Sequence, residues 1–295
     1  MRTNVTSLQV TTLLALAFLL TTCSGVEPAG PQAGTPAWYW QAAQETFNAA
    51  DYAKTQEHLG NLTNDENEWR KRAAVWHVVV LSGLSRSYIE LGDAYSKGAQ
   101  ASPGKAAAFR NPIQQYQRDA RQYAIRLAES LPKYQKLWAA DATIPFDFAF
   151  PAGTPNEAPH MSRIKDGEVL SEAQQSETAR QEVQRGILLQ AALLAGAGDD
   201  INTARQKFGA GPVEVPKDAF QNGLGRTLWI VSELFDRAHL NQPDVEKILV
   251  TQAHRAIETT LQSSDEAIKK QAEALRKEIE EKQKLDEDTR KRLRG

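Results

Sequence analysis

Apolar residues recur at steps of three and four along most of this chain, the spacing of one helix face. Between Asp65 and Lys97 the series is Trp69, Ala73, Trp76, Val80, Leu84, Tyr88, Leu91 and Tyr95. Asn64 or Asp65 suits the N-cap, and Glu66 and Glu68 suit the first-turn dipole. A second series between Asn111 and Trp138 is Ile113, Tyr116, Ala120, Tyr123, Leu127, Leu131, Tyr134 and Trp138. Pro112 fits its first turn, and Pro132 predicts a kink or a break near Ser130.

Further helices are expected over 171–197, ending at Gly196-Ala197-Gly198, and from Asp199 or Asp200 to Phe208. Residues 209–216 read as a loop. Lys217 to Leu240 carries Phe220, Leu224, Leu228, Val231, Phe235 and Ala238 on one face. Asn241, Pro243 and Asp244 open the next helix, which runs to about Leu261. A last, highly charged helix starts at Ser264 and runs to about Leu293. Strand patterns are nearly absent, so the predicted class is all-α: stacked antiparallel hairpins or an irregular helical bundle, with a long charged C-terminal helix.

The N-terminus has a different pattern. Arg2 precedes an apolar run from Leu8 to Leu20, too short to span a bilayer core of about 30 Å. Leu20-Thr21-Thr22-Cys23-Ser24-Gly25 follows. This arrangement resembles the lipobox of bacterial lipoproteins, in which the cysteine receives a diacylglyceryl group and becomes the mature N-terminus. Thr22 stands where that family prefers glycine, alanine or serine. The resemblance implies a signal peptide over 1–22, lipidation of Cys23 and a membrane anchor. Ser24, where an aspartate would favour inner-membrane retention, implies the periplasmic face of the outer membrane in a Gram-negative cell. Residues 23–36, with Gly25, Pro28, Gly30, Pro31, Gly34 and Pro36, read as a flexible linker. The helical body is then 37–262, and 263–295 is the charged helix.

Cys23 is the single cysteine, so no disulfide within the chain is available, and the fold must rest on packed apolar area. In an oxidising compartment acylation also removes an odd thiol. Lys and Arg number 35 against 37 Asp and Glu. Losing residues 1–22 removes only Arg2, which moves the formal charge from −2 to −3. That balance gives no reason to expect nucleic acid.

Parts of the body resemble tetratricopeptide repeats, helical pairs of about 34 residues. The clearest match is Leu81-x-x-Leu84-Ser85-x-x-Tyr88-x-x-x-Gly92-Asp93, with Gly92-Asp93 as the turn. Ala43 to Leu59, with Asp51-Tyr52 at its turn, looks like another copy. Leu188, Ala191, Ala192, Ala195, Ala204 and Phe208 suggest a third. The turns at Ala50-Asp51 and Gly92-Asp93 are 42 residues apart. Such repeats imply a scaffold that holds a protein segment in a concave face.

Residues that carry chemistry are sparse. No two of the five histidines lie one helical turn apart, so no local metal face is formed. Glycine pairs at 196/198, 209/211 and 223/225 follow no strand and lead into no phosphate-binding motif. Glu129-Ser130 resembles the catalytic pair of soluble lytic transglycosylases, but Leu131-Pro132-Lys133-Tyr134 follows in place of that family's downstream motifs. The expectation is a protein that is not an enzyme and takes no cofactor or metal. Its expected role is an envelope scaffold or adaptor with an envelope protein partner. The alternative is a helical envelope enzyme or ligand-binding lipoprotein with a site assembled from distant residues.

Two segments are candidates for partner binding. The irregular stretch 141–167 places Ile144, Phe146, Phe148 and Phe150 on one side of an extended chain. These rings either pin the loop to the helices or face a partner. The last helix has a sparse stripe of Ile268, Ala272, Leu275 and Ile279. Leu275 and Ile279 either dock the helix as a cap or engage a partner.

Overall fold

A computed structural model describes residues 30–148, 154, 156–208, 212–235 and 242–292. The class is all-α. Thr35 caps α1 (Pro36–Asn48) by accepting from the Trp38 amide at 3.3 Å. Ala50 takes a left-handed φ of 58°, and Asp51 caps α2 (Tyr52–Asn64) through the Lys54 amide at 3.2 Å. The first hairpin therefore turns where its sequence places a turn.

The next two helices are longer than expected. α3 (Arg70–Ala101) and α4 (Ala106–Leu137) have 32 residues each and form the most extensive helix pair, joined by a 3-10 turn at Pro103–Lys105. Gly92 and Asp93 lie inside α3 and make no turn. Leu91, Ala94 and Tyr95 pack against Phe109 and Tyr116 of α4, and this contact carries the helix past the glycine. α3 alone takes almost the length of a repeat of about 34 residues. Neither Asn64 nor Asp65 caps α3. Asn67 instead accepts the Trp69 amide at 2.9 Å ahead of the first turn. Pro132 does not break α4. It lies on the exposed side, where a carbonyl deprived of its partner reaches water. Leu127, Leu131, Tyr134 and Trp138 hold the flanking turns in the core.

Residues 143–146 form β1 (Thr143–Phe146), which pairs antiparallel with β2 (Val213–Pro216), where the sequence reads as loop. Ile144 faces Val215 and Phe146 faces Val213. Ile144, Phe146 and Val215 are buried, while Thr143 and Glu214 are exposed, so one face of the ribbon seals the core. α5 (Met161–Lys165) follows. α6 (Glu172–Leu194) opens on a capping box in which Ser171 and Gln174 exchange hydrogen bonds. α7 (Ile201–Phe208) begins with Asp200 accepting the Thr203 amide at 2.7 Å.

α8 (Lys217–Ser232) continues into a 3-10 turn at Glu233–Phe235 and packs most closely on α9 (Pro243–Thr260). Asn241, expected as a cap, lies outside the described residues. α10 (Glu266–Arg292) starts two residues later than expected, capped by Asp265 through the Ala267 and Ile268 amides. Its Ala272, Leu275 and Ile279 are buried against α8 and α9. Among the described residues, no helix is long and apolar enough to cross a membrane.

Candidate functional site

Three helices build a polar cleft of about 500 Å³. α3 supplies the floor with Ala74 and His77, one turn apart. α2 forms one wall, with Gln56, Glu57, Gly60, Asn61, Thr63 and Asn64 on a single face. α4 forms the other with Arg126, Glu129, Ser130 and Lys133, again at steps of three and four. The opposite faces of the same helices enter the core through Leu59, Leu62, Leu127 and Leu131, so packing fixes the walls.

The charges in the cleft are of both signs. Arg126 is half-buried, and Glu57, Glu129 and Lys133 are exposed. Among the described residues, Arg126, Glu57 and Glu129 form no ion pair. The Arg126 guanidinium lies 5.9 Å from the Tyr123 ring. Lys133 Nζ donates to Asn64 Oδ1 at 2.8 Å and ties the two walls together. Burial, and then the Lys133 and Arg126 charges, lower the His77 imidazole to about 4, so it is neutral at pH 7. A Cβ on Gly60 would lie 3.6 Å from His77 Cε1, so the glycine leaves the edge of the ring open. Ser130 is turned inward and donates to the Leu127 carbonyl at 2.8 Å, while its neighbour Glu129 faces water. The arrangement can bind a polar ligand through charges, carboxamides and a neutral imidazole.

A second group of charges lies between α3 and α6. Arg185 Nε and Nη2 donate to the two oxygens of Glu182 at 2.9 and 2.8 Å, and Nη2 also reaches Glu90 at 2.5 Å. Arg86 bonds Glu90 at 3.0 Å and Asp199 at 2.7 Å. Glu182 is fully buried, and burial pushes its carboxyl up to about 7 against the pull of Arg185. Burial acts on Glu90 in the same sense, but Arg86 and Arg185 outweigh it and hold Glu90 below its ordinary value. Two guanidiniums facing Glu90 and Asp199 are already balanced, which removes the need for a charge on Glu182.

The residues expected to meet a partner are mostly in the core. Phe148 stacks on Trp76 with ring centres 4.3 Å apart and meets Trp40 and Phe47 edge-on. Phe146 stacks on Phe208 at 5.7 Å. Both are buried, so they pin the extended segment to the helices and present no surface to a partner. Leu275 and Ile279 are buried as well, at 4% and 0% exposure, and dock α10 onto its own chain. Apolar side chains beside an open helical end find their partners within the chain first, because that burial carries no cost of association. Phe150 and Cys23 lie outside the described residues.

Sequence reasoning missed the cleft. Its wall residues belong to the polar halves of three amphipathic patterns, and such halves read as ordinary solvated surface. Only the Glu129-Ser130 dipeptide drew attention to one wall. Among the described residues, no three His, Cys, Asp or Glu side chains come together to hold a metal ion. Comparison of the chain with protein-family models, with curated proteins and with solved structures finds no match.

Proposed function

We propose that this chain is a lipid-anchored protein of the bacterial cell envelope that works by binding, as a scaffold or adaptor for another envelope protein. The observation that carries this reading is the single cysteine at Leu20-Thr21-Thr22-Cys23, followed by a Pro/Gly-rich stretch before the first helix at Pro36. Acylation at Cys23 confines the helical body to a membrane surface, and the linker gives it reach. Confinement raises the effective concentration of a weak binder. Ser24 favours the periplasmic face of the outer membrane where the cell has one.

Labelling cells with an alkyne analogue of palmitate tests the anchor. The wild-type chain takes up label and Cys23→Ala does not; equal labelling of the two would sink the proposal. Affinity capture from membranes tests the adaptor role. An envelope protein recovered with the wild type supports it, and recovery of the chain alone counts against it.

A second reading is favoured by the α2–α3–α4 cleft, where charges of both signs stand around a neutral imidazole. On that reading the same tethered body receives a small molecule in place of a protein segment.

A further inference from the structure

We propose that the α2–α3–α4 cleft binds a small amphoteric ligand, such as a short peptide. Its oxyanion lies against the His77 edge within the field of Arg126 and Lys133, and its ammonium faces the exposed Glu57 and Glu129. This deepens the ligand-binding reading of the site and rests on it.

The charge inventory points this way. The cleft presents two cations and two carboxylates, and Arg126, Glu57 and Glu129 have no ion-pair partner among the described residues. Among the described residues, Lys133 is held only by the neutral Asn64 amide. A ligand of one sign would leave one pair of charges unmet beside its opposite. A ligand with both ends charged satisfies all four with charge-assisted bonds. The Gln56, Asn61 and Asn64 carboxamides line the space between, each offering groups that both donate and accept. Asn64 already accepts from Lys133 through Oδ1 and Gln56 donates through Nε2 to the Ala53 carbonyl, which leaves each carboxamide its other atom. That pairing of donor and acceptor matches an amide bond. A volume of about 500 Å³ is of the size that small ligands occupy.

His77 decides the polarity. It faces Lys133 and Arg126 from α4, and no hydrogen bond to another described residue occupies its ring. The neutral ring can give one hydrogen bond to an oxyanion at no cost in charge. An oxyanion seated there offsets the two cations, Lys133 and Arg126, that add to burial in keeping the ring neutral. Its arrival must therefore make His77 easier to protonate, which a merely structural histidine would not report.

The experiment follows the His77 Cε1–H resonance of the full-length chain by NMR, assigned by its loss in His77→Gln. The pH titration is repeated with glycylglycine, with acetate alone and with ethylamine alone. Glycylglycine is expected to raise the His77 midpoint saturably, and to bind about tenfold or more tightly than acetate. Arg126→Gln with Lys133→Gln should abolish the shift. Glu57→Gln with Glu129→Gln should erase the advantage of glycylglycine over acetate when both are measured in that variant. Gly60→Val, which alters no charge, should block all binding by covering the ring.

The proposal is overturned if no probe moves His77, if acetate equals glycylglycine, or if the carboxylate pair can be neutralised without effect. Failure of lipidation at Cys23 would leave this titration untouched. A lost titration with labelling intact would remove only the ligand.

Discussion

Gly83 of α3 faces Ile187 of α6 so closely that a Cβ on the glycine would lie 2.8 Å from the Ile187 Cα. Gly186, beside Ile187, meets Ser87 in the same crossing. The absence of side chains there lets two backbones approach, and the Arg86–Glu90–Glu182–Arg185 group forms within one turn of that contact.

Gly83→Ala should therefore destabilise the chain by about 1–3 kcal/mol, because the helices must separate to admit a methyl group. Gly92→Ala in the same helix is the control. A Cβ there meets Gln117 and Tyr116 at 3.8 and 3.9 Å, ordinary contact distances. That variant should gain about 0.5–1 kcal/mol from helix propensity. Urea unfolding of both separates packing from propensity, and a neutral Gly83→Ala would contradict the close crossing.

Glu182 makes stability depend on pH with a definite sign. Its carboxyl is raised from 4.5 to about 7, so the folded state prefers the protonated form. This contribution is complete below pH 4.5 and is lost as pH rises to about 7. Glu90 is lowered, so its contribution is present above its unfolded value and is lost on acidification. His77, lowered from 6.5 to about 4, also loses its contribution as pH falls through that window. Glu182→Gln removes the first effect. Between pH 5 and 7 its Tm should rise relative to that of the wild type as pH increases. Parallel Tm curves for the two proteins would show that Glu182 stays ionised.

Phe148→Ala should cost about 3–5 kcal/mol, the range for deleting a buried ring. Phe148 touches Trp76, Trp40 and Phe47 at once, so no single neighbour can collapse into the space. Val169→Ala at a 45% exposed position should stay within about 0.5 kcal/mol. A small effect at Phe148 would free the 141–167 segment for the partner role that its sequence suggested.

The last helix divides near Ile279. Leu275→Ala should lose about 2–5 kcal/mol. Ending the chain after Lys282 should change stability by less than about 1 kcal/mol, since the half-buried Lys282–Glu233 pair is retained. Denaturation midpoints of the two variants check this. If the shortened chain loses as much as Leu275→Ala, the distal turns are docked too.

Much of the fold was legible because it depends on local chemistry. Ser171 and Asp200 cap helices where short polar side chains reach amides three residues on. The stripes of α3 and α4 bury most of the residues that their spacing marks, among them Trp76, Leu84, Leu91, Leu127 and Tyr134, and leave Tyr88, Ile113 and Tyr123 partly buried. At Gly92-Asp93 and Pro132 local preference pointed to interruptions, and both helices continue through them. There tertiary burial outweighs a penalty of about 1 kcal/mol for glycine, and of about 3 kcal/mol for proline.

The sequence by itself determined the helical class, the main apolar faces and the expectation of an anchor at Cys23. These follow from periodicity and from residue types met within a few positions of each other. Only the tertiary structure decided what long separations bring together. Arg185 reaches Glu90 across 95 residues, β1 finds its partner strand after three helices, and Lys133 meets Asn64 across 69. Nothing local marks such pairs, because a polar residue on the outer face of a helix looks the same whether water or another helix stands opposite. The cleft lies on those outer faces, so it came into view only once α2 and α4 stood on either side of α3.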